Sequence, residues 1–368
     1  MMTTMVDLSV LIIILVILLM PYLIIGLLMF TLGRTVRLKK DFSQKPTVTI
    51  CLPTYNEEKF IERKLDNLLE QTYPIHEILI YDCSTDKTPA IIQKYQKKNS
   101  SIKLIRQPVR IGMARTLNQA FIDATGEILI KTDCDSFLKS RDAISELVAN
   151  FGDKRVGGAT GVSTAQKGTE KVVRRFLRII QILETNIDST IIGDSQSLCA
   201  FRMSFVKPVD INSMAEDTEE MVLIRRQGHK VIVDPSVIAE EEGVQSEFRI
   251  RRLQKDRRAQ GVIRVLLLRN NFLFLNPRFG LYGLIVFPLE LFIVVFSPFL
   301  LIGFGIVLAI LLYAIHPIIA LALVSTFVLA FVHRSNIIAA IIDTELSGLI
   351  GTIMTLSKKD NPLWDKVR

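Results

Sequence analysis

The chain has 368 residues, 49% of them hydrophobic and 22% charged, with a formal net charge of +8 and a mean hydropathy of +0.35. Such hydropathy beside so many charges fits apolar residues gathered in blocks, with room for about one or two domains between them. The basic excess suits membrane headgroups and a phosphorylated substrate, and the absence of zinc-finger spacing or an aromatic-interleaved basic patch excludes nucleic acid as the expected partner.

Residues 8–32 are apolar almost throughout, long enough to span a bilayer as a helix. No Lys or Arg precedes them and no clear small-residue cleavage site follows; Arg34, Arg37, Lys39 and Lys40 come next. Residues 1–40 therefore read as a retained anchor with a basic flank, rather than a cleaved signal, and the flank places the next domain in the cytosol.

Residues 41–278 read as globular. A strand over 47–52 is closed by Pro53. A helix over 57–71 carries Phe60, Ile61, Leu65, Leu68 and Leu69 on one side. Then come a strand over 77–81, a helix over 89–98, a strand over 102–106, a helix over 113–124 stopping at Gly126, and a strand over 127–132. This alternation predicts an α/β fold, Rossmann-like, with a mostly parallel sheet covered on both faces and ligands at the carboxyl ends of its strands.

Residues 279–368 turn hydrophobic again. An interfacial helix, a span over about 289–313 and a span over 317–332 are expected. In 336–356, Asp343, Ser347 and Gly351 recur at four-residue spacing, so one face is polar and lies in the interface or packs on the bundle. Lys358, Lys359, Lys366 and Arg368 favour a cytosolic tail.

The four cysteines, Cys51, Cys83, Cys134 and Cys199, form no C-x-x-C pair and have no His at metal-ligand spacing. Free thiols in a reducing compartment are expected, not disulfides or structural zinc. The histidines His76, His229, His316 and His333 have no triad context and read as structural.

Asp133-Cys134-Asp135 directly follows the strand over 127–132. In extended backbone, residues i and i+2 point the same way, so two carboxylates converge at a strand's carboxyl end. Their repulsion needs a compensating cation, and oxygen ligands of this kind suit Mg²⁺ or Mn²⁺, which would neutralise a leaving diphosphate. A solvated turn is the plainer alternative. Asp82 ends the second strand, where its carboxylate can accept from a base or ribose; Ser84 or Asp86 can cap the helix that follows. Thr54, Tyr55 and Glu57 lie where the first strand's loop would meet a nucleotide, while Asn56 could equally cap a helix.

Taken together these stretches resemble the family-2 glycosyltransferases, which have the GT-A fold. The resemblance rests on P-T-Y-N-E-E at 53–58, D-C-S-T-D-K-T at 82–88, G-M-A-R-T-L-N at 112–118 and T-G-E-I-L-I-K-T-D-C-D at 125–135. It continues in order through Glu216-Asp217, G-H-K-V-I-V-D-P at 228–235, Gln254-Lys255-Asp256-Arg257-Arg258 and Trp364-Asp365-Lys366. It points to the membrane-bound group that includes hyaluronan, cellulose and poly-N-acetylglucosamine synthases.

The resemblance implies an inverting transfer from a nucleoside-diphosphate sugar, a UDP-sugar in the first instance, to a glycan or lipid-linked acceptor at the cell membrane. Pro53, Thr54, Tyr55, Glu57 and Asp82 would line the nucleotide side, and Asp133 and Asp135 would hold a divalent metal. Asp217, paired with Glu216, would be the general base. Gln254, Arg257 and Arg258 would serve the acceptor and the diphosphate.

Two departures matter. The family's second acidic residue after the second strand is here Cys83, and the tryptophan of the Gln-x-x-Arg-Trp signature of processive synthases is here Arg258. Arginine can stack but adds charge, which favours a lipid-linked phosphate or short glycan over a long polymer. Two alternatives accompany this expectation. One is a non-catalytic sensor or scaffold with a sugar-nucleotide-like domain. The other is a synthase that also exports its product along a polar path hinted at by Asp343 and Glu345.

Overall fold

The computed structural model describes residues 2–32, 38–164, 168–191, 197–242, 248–269, 275–332 and 337–357. The basic flank at Arg34 and Arg37, His333, and the tail with Trp364-Asp365-Lys366 lie outside the described residues.

The sheet begins with β1 (Val48–Thr54), β2 (Glu77–Asp82), β3 (Ile102–Arg106) and β4 (Ile128–Thr132), joined by α2 (Ile61–Leu69), α3 (Thr88–Lys98) and α4 (Met113–Asp123). It continues with β5 (Ser136–Leu138), β6 (Val156–Thr164), β7 (Leu198–Arg202) and β8 (Lys230–Glu241). The eight strands lie in the order β3-β2-β1-β4-β7-β6-β8-β5. β1, β2, β3 and β4 pair in parallel, as does β6 with β8, while β7 and β5 run antiparallel to their neighbours. The order reverses direction beside β1, where β2 lies on one side and β4 on the other. In open α/β sheets such a reversal opens a crevice at the carboxyl ends of the strands.

β1 runs further than its sequence suggests. Pro53 lies inside the strand, opposite Tyr81 of β2. Pairing of β1 with β4 has already ended at Cys51. A residue without an N–H is tolerated at such a place, past the end of a ladder. Leu69, expected on the buried side of α2, is 40% exposed, because the helix ends there and the chain turns away.

Alternation along the strands feeds two cores. Ile50, Leu52, Ile78, Ile80, Ile130 and Cys134 face the layer of α2, α3 and α5 (Ala143–Ala149). Cys51, Leu79, Tyr81, Leu129 and Phe201 face α4 and α7 (Glu216–Arg226). The four cysteines are free thiols, three of them buried.

Outside the sheet stand α1 (Met2–Leu32), α6 (Gly168–Ile187), α8 (Phe248–Arg264), α9 (Phe287–Leu291), α10 (Ser297–Ile315), α11 (Pro317–Val332) and α12 (Ile337–Leu356). The stretches Ile12–Thr31 and Tyr282–Ala314 are long and apolar enough to cross a membrane. The second is one helical run over 282–315 with π-helical turns at Tyr282–Val286 and Phe292–Phe296. Pro288 and Pro298 follow these turns directly, where the regular i→i−4 ladder is already interrupted. Ile25 of α1 packs with Ile180 and Leu183 of α6 and with Leu289 and Ile293 of this run, fastening the apolar helices to the α/β domain.

Candidate active site

β1 and β2 end side by side, with Thr54 opposite Asp82. The Thr54 hydroxyl donates to Asp82 Oδ1 at 2.7 Å, Ser84 Oγ donates to the same oxygen, and Arg106 at the end of β3 pairs with Oδ2. Asp82 is fully buried. Through Thr54 and Arg106 it ties the ends of β1, β2 and β3 together.

Asn56 does not cap α2. It adopts a left-handed conformation (φ 54°), accepts from Thr85 N at 2.9 Å and donates its own N–H to Ser84 Oγ at 2.8 Å. The backbone N–H of Glu57 donates to Thr88 Oγ1 at 2.8 Å. Asp86 accepts from Thr88 N at 2.9 Å at the start of α3. Tyr55 and Glu57 thus sit on a first loop, just after Pro53 in β1, that is braced by the second. The guanidinium of Arg110 lies 4.4 Å over the Tyr55 ring, a cation held beside the crevice.

The end of β4 carries the densest charge. Leu129, Lys131 and Asp133 follow one face, and Ile130, Thr132 and Cys134 the other. Lys131 is buried and donates to Glu216 Oε1 at 2.9 Å and Asp217 Oδ2 at 3.4 Å, at the first turn of α7. Burial works against its ammonium, but Glu216, Asp217 and Asp133 outweigh it and raise its pKa well above the ordinary value. Burial tends to raise the Glu216 carboxyl, yet Lys131 and, more weakly, Arg257 overcome it and keep its pKa low. The Asp217 pKa is raised, by burial first and by neighbouring Glu216, against the pull of Lys131. Its Oδ1 accepts from Thr218 N at 2.7 Å. Of the pair, Glu216 is the one held ionised by Lys131, and Asp217 is the one whose affinity for a proton is raised.

Asp133 is pushed up to about 7 by burial and by Asp135, Glu241 and Asp217, with Lys131 opposing. So many carboxylates around one strand end are unfavourable without a cation. The oxygen donor set of Asp133 and Asp135 fits a divalent ion of the Mg²⁺ or Mn²⁺ type. From the other face, buried Lys64 donates to Thr132 Oγ1 at 2.9 Å and to the Ser136 carbonyl, bracing the turn that carries Asp133 and Asp135. Burial lowers the Lys64 pKa to about 8 although Cys134, Asp133 and Asp135 oppose it. Glu241, at the end of β8, accepts from Arg174 at 2.7 Å. Burial would raise the Glu241 pKa, but Arg174 and Arg258 hold it low.

α8 borders this charged group. Arg257 is close enough to Glu216, Arg258 and Arg110 for their charges to act on it. Arg258 is exposed and Gln254 and Arg257 are partly buried. Glu216, Asp217, Asp133, Asp135, Arg257 and Arg258 therefore gather in one neighbourhood, with Pro53, Thr54, Tyr55, Glu57 and Asp82 on the adjoining strand ends. Lys64, Lys131, Arg110, Arg174 and Glu241 were not singled out from the sequence. Lys131 carried a usable signal, since two residues before Asp133 on a strand puts it on the same face. Lys64 sits in the middle of a helix and carried none. Asp343 pairs with Arg252 and Lys255, and Glu345 accepts from Ser297 Oγ at 3.0 Å, so both carboxylates make contacts between helices.

The sequence model of glycosyl transferase family 2 matches residues 49–209. A probable glycosyltransferase of Bacillus subtilis, YdaM, is 23% identical over 223 residues, covering 55% of this chain and 52% of YdaM. The dolichyl-phosphate beta-glucosyltransferase ALG5A of Trichomonas vaginalis is 25% identical over 206 residues, covering 50% of this chain and 63% of ALG5A. The chain thus spans about half to two thirds of the length of these relatives. Among solved structures, the mannosyltransferase PcManGT of Pyrobaculum calidifontis, in complex with GDP-Man and Mn²⁺, has a TM-score of 0.79 at 24% identity, over 96% of this chain and 99% of its own. Its likeness extends the common fold beyond the sheet to the apolar helices. The match to glycosyl transferase family 2 thus lies across β1 to β7, and the GT-A fold is shared nearly end to end.

Proposed function

We propose that the protein is an inverting glycosyltransferase. It moves a sugar from a nucleoside-diphosphate sugar to a lipid-linked phosphate or short glycan acceptor at the cytosolic face of the cell membrane. The observation that carries this reading is the buried Lys131–Glu216–Asp217 group, which puts an Asp of raised pKa beside the carboxylates of Asp133 and Asp135.

The nucleotide is received by the strand ends of Thr54 and Asp82 and by the loop of Tyr55 and Glu57, with Arg106 and Arg110 supplying charge. Asp133 and Asp135 would hold a divalent ion, which supplies charge neutralisation for the departing diphosphate. Arg257 and Arg258 add donors on the same side. Asp217 takes the proton from the acceptor hydroxyl or phosphate as that oxygen attacks the anomeric carbon from the face opposite the diphosphate. One base suffices because no covalent sugar–enzyme intermediate forms. Glu216, paired with Lys131, raises the affinity of Asp217 for the proton it takes.

The lipid-linked acceptor is supported by Arg258 standing where processive synthases have an aromatic, by the apolar runs beside the domain, and by likeness to a dolichyl-phosphate glucosyltransferase. The nucleotide is left to experiment, because UDP and GDP both present the same diphosphate to these residues. A thermal-shift screen of UDP, GDP and their sugar conjugates with Mn²⁺ or Mg²⁺ tests the donor. One diphosphate nucleotide should raise the melting temperature only when metal is present. Indifference to every nucleotide would favour a non-catalytic scaffold instead.

A further inference from the structure

α8 has two working faces. Gln254, Arg257, Arg258 and Gly261 face the carboxylate site and the start of α7, whereas Arg252, Lys255, Asp256, Ala259 and Gln260 face α12. The helical period separates the two sets by about half a turn.

α12 is mostly apolar but carries a stripe at four-residue spacing, Asp343, Ser347, Gly351 and Thr355, of which Asp343, Gly351 and Thr355 meet α8. Asp343 is buried and is the hub of the contact. Its Oδ1 accepts from Arg252 Nη1 at 2.7 Å and its Oδ2 from Lys255 Nζ at 2.6 Å. The Asp343 carbonyl accepts again from Arg252 at 3.2 Å, and Arg252 Nε reaches Asp256 at 3.0 Å. Lower down, a Cβ at Gly351 would stand 2.8 Å from Gln260 N, and Thr355 Oγ1 donates to the Gln260 carbonyl at 3.4 Å. On the far side of α8, a Cβ at Gly261 would stand 2.8 Å from the Met214 carbonyl, two residues before Glu216. Backbone therefore approaches backbone on both sides of α8, with no flexible side chain between to absorb a shift.

We propose that Asp343 is a positioning residue for the transfer reaction. From a helix outside the α/β domain it fixes the rotation of α8 about its axis, and so the placement of Arg257 and Arg258 relative to the diphosphate and the Glu216–Asp217 pair. A one-residue rotation of α8 would turn these arginines by about 100°. A buried carboxylate on a mostly apolar helix is costly unless paired, which fits a role in holding two cations in one geometry. This inference rests on the glycosyl-transfer reading of the site.

The test compares full-length wild type, Asp343→Asn, Asp343→Glu and Lys255→Met in detergent. Release of nucleoside diphosphate is followed with Mn²⁺ and the sugar nucleotide that wild type uses, beside thermal melting of each variant. Asp343→Asn should lower kcat about 10- to 100-fold, the scale of a small misplacement of catalytic groups, with a smaller change in KM. Asp343→Glu should recover most of the loss. Lys255→Met, which leaves Arg252 on Asp343, should show a smaller loss in the same direction and covers the case in which Asp343→Asn does not fold. In an Arg257→Lys background Asp343→Asn should cost little more, because both act through one group. Folded Asp343→Asn with kcat within twofold of wild type would overturn the proposal, and so would losses that simply multiply with those of Arg257→Lys. A wild type that releases no diphosphate would instead sink the glycosyl-transfer reading, and the inference with it.

Discussion

At the residue scale, the site sets two adjacent carboxylates apart. Glu216 is held charged by Lys131, while burial and Glu216 raise Asp217. A base acts only when deprotonated, so kcat/KM should rise with pH through the raised Asp217 pKa. Its acid limb should lie above the ordinary carboxylate range, and a limb at or below that range would contradict this assignment. Lys131→Met removes the opposing charge and should push the limb higher still. Glu220, on the same helix, gives a stability test away from catalysis. Burial pushes its pKa up to about 9, although Lys207 N donates to it at 3.1 Å. A carboxyl that stays protonated in the fold but ionises unfolded loses stability as pH rises from its unfolded value toward its folded one. Glu220→Gln should therefore raise the melting temperature by a few degrees at pH 8 and by less at pH 5; equal shifts at both would refute it. Asp82, Asp133 and Asp135 were legible as positions because each stands at or just after a strand end that patterning locates, and Asp217 only through the family resemblance. Lys64 and Glu241 were not, because their roles depend on which distant strand end lies above them.

At the element scale, the strand–helix alternation from β1 to β4 was readable, within two residues for every element but α2, which starts at Ile61 rather than 57, since β1, β2 and β4 are buried on both faces and each helix shows one apolar side. β6, β7 and β8 were harder. The antiparallel insertion of β7 between β4 and β6 is set by long-range pairing such as Ile130 with Ala200, and nothing local announces it. The polar spacing in α12 was visible, but its purpose was not, because its partner α8 lies some 90 residues earlier. α8 is also where a small change should be most damaging. Gly261→Ala puts a methyl about 2.8 Å from the Met214 carbonyl, and backbone must move to admit it. Transfer should fall by about tenfold or more through displacement of the Glu216–Asp217 turn. Gly303→Ala, on α10, has open space around it and should leave activity unchanged. If both variants behave alike, the close approach is not what positions α7.

At the scale of the whole molecule, an α/β domain with its crevice is held by α1 and by the run from Tyr282 to Ala314, and α6 and α8 connect the two parts. On this account the apolar helices sit in a bilayer and set the crevice where a lipid-linked acceptor would arrive. The expressed protein should stay in the membrane pellet after an alkaline carbonate wash and leave it only with detergent; release by carbonate alone would mean that α1 and the later run pack against protein. The most direct test of the central claim is nucleoside diphosphate release and sugar transfer by purified wild type and Asp217→Asn, with Mn²⁺ and a short polyprenyl phosphate. Asp217→Asn should bind the nucleotide as wild type does and lose transfer by about 10²- to 10⁴-fold, the usual contribution of a general base. Transfer at wild-type rate by Asp217→Asn would contradict the account.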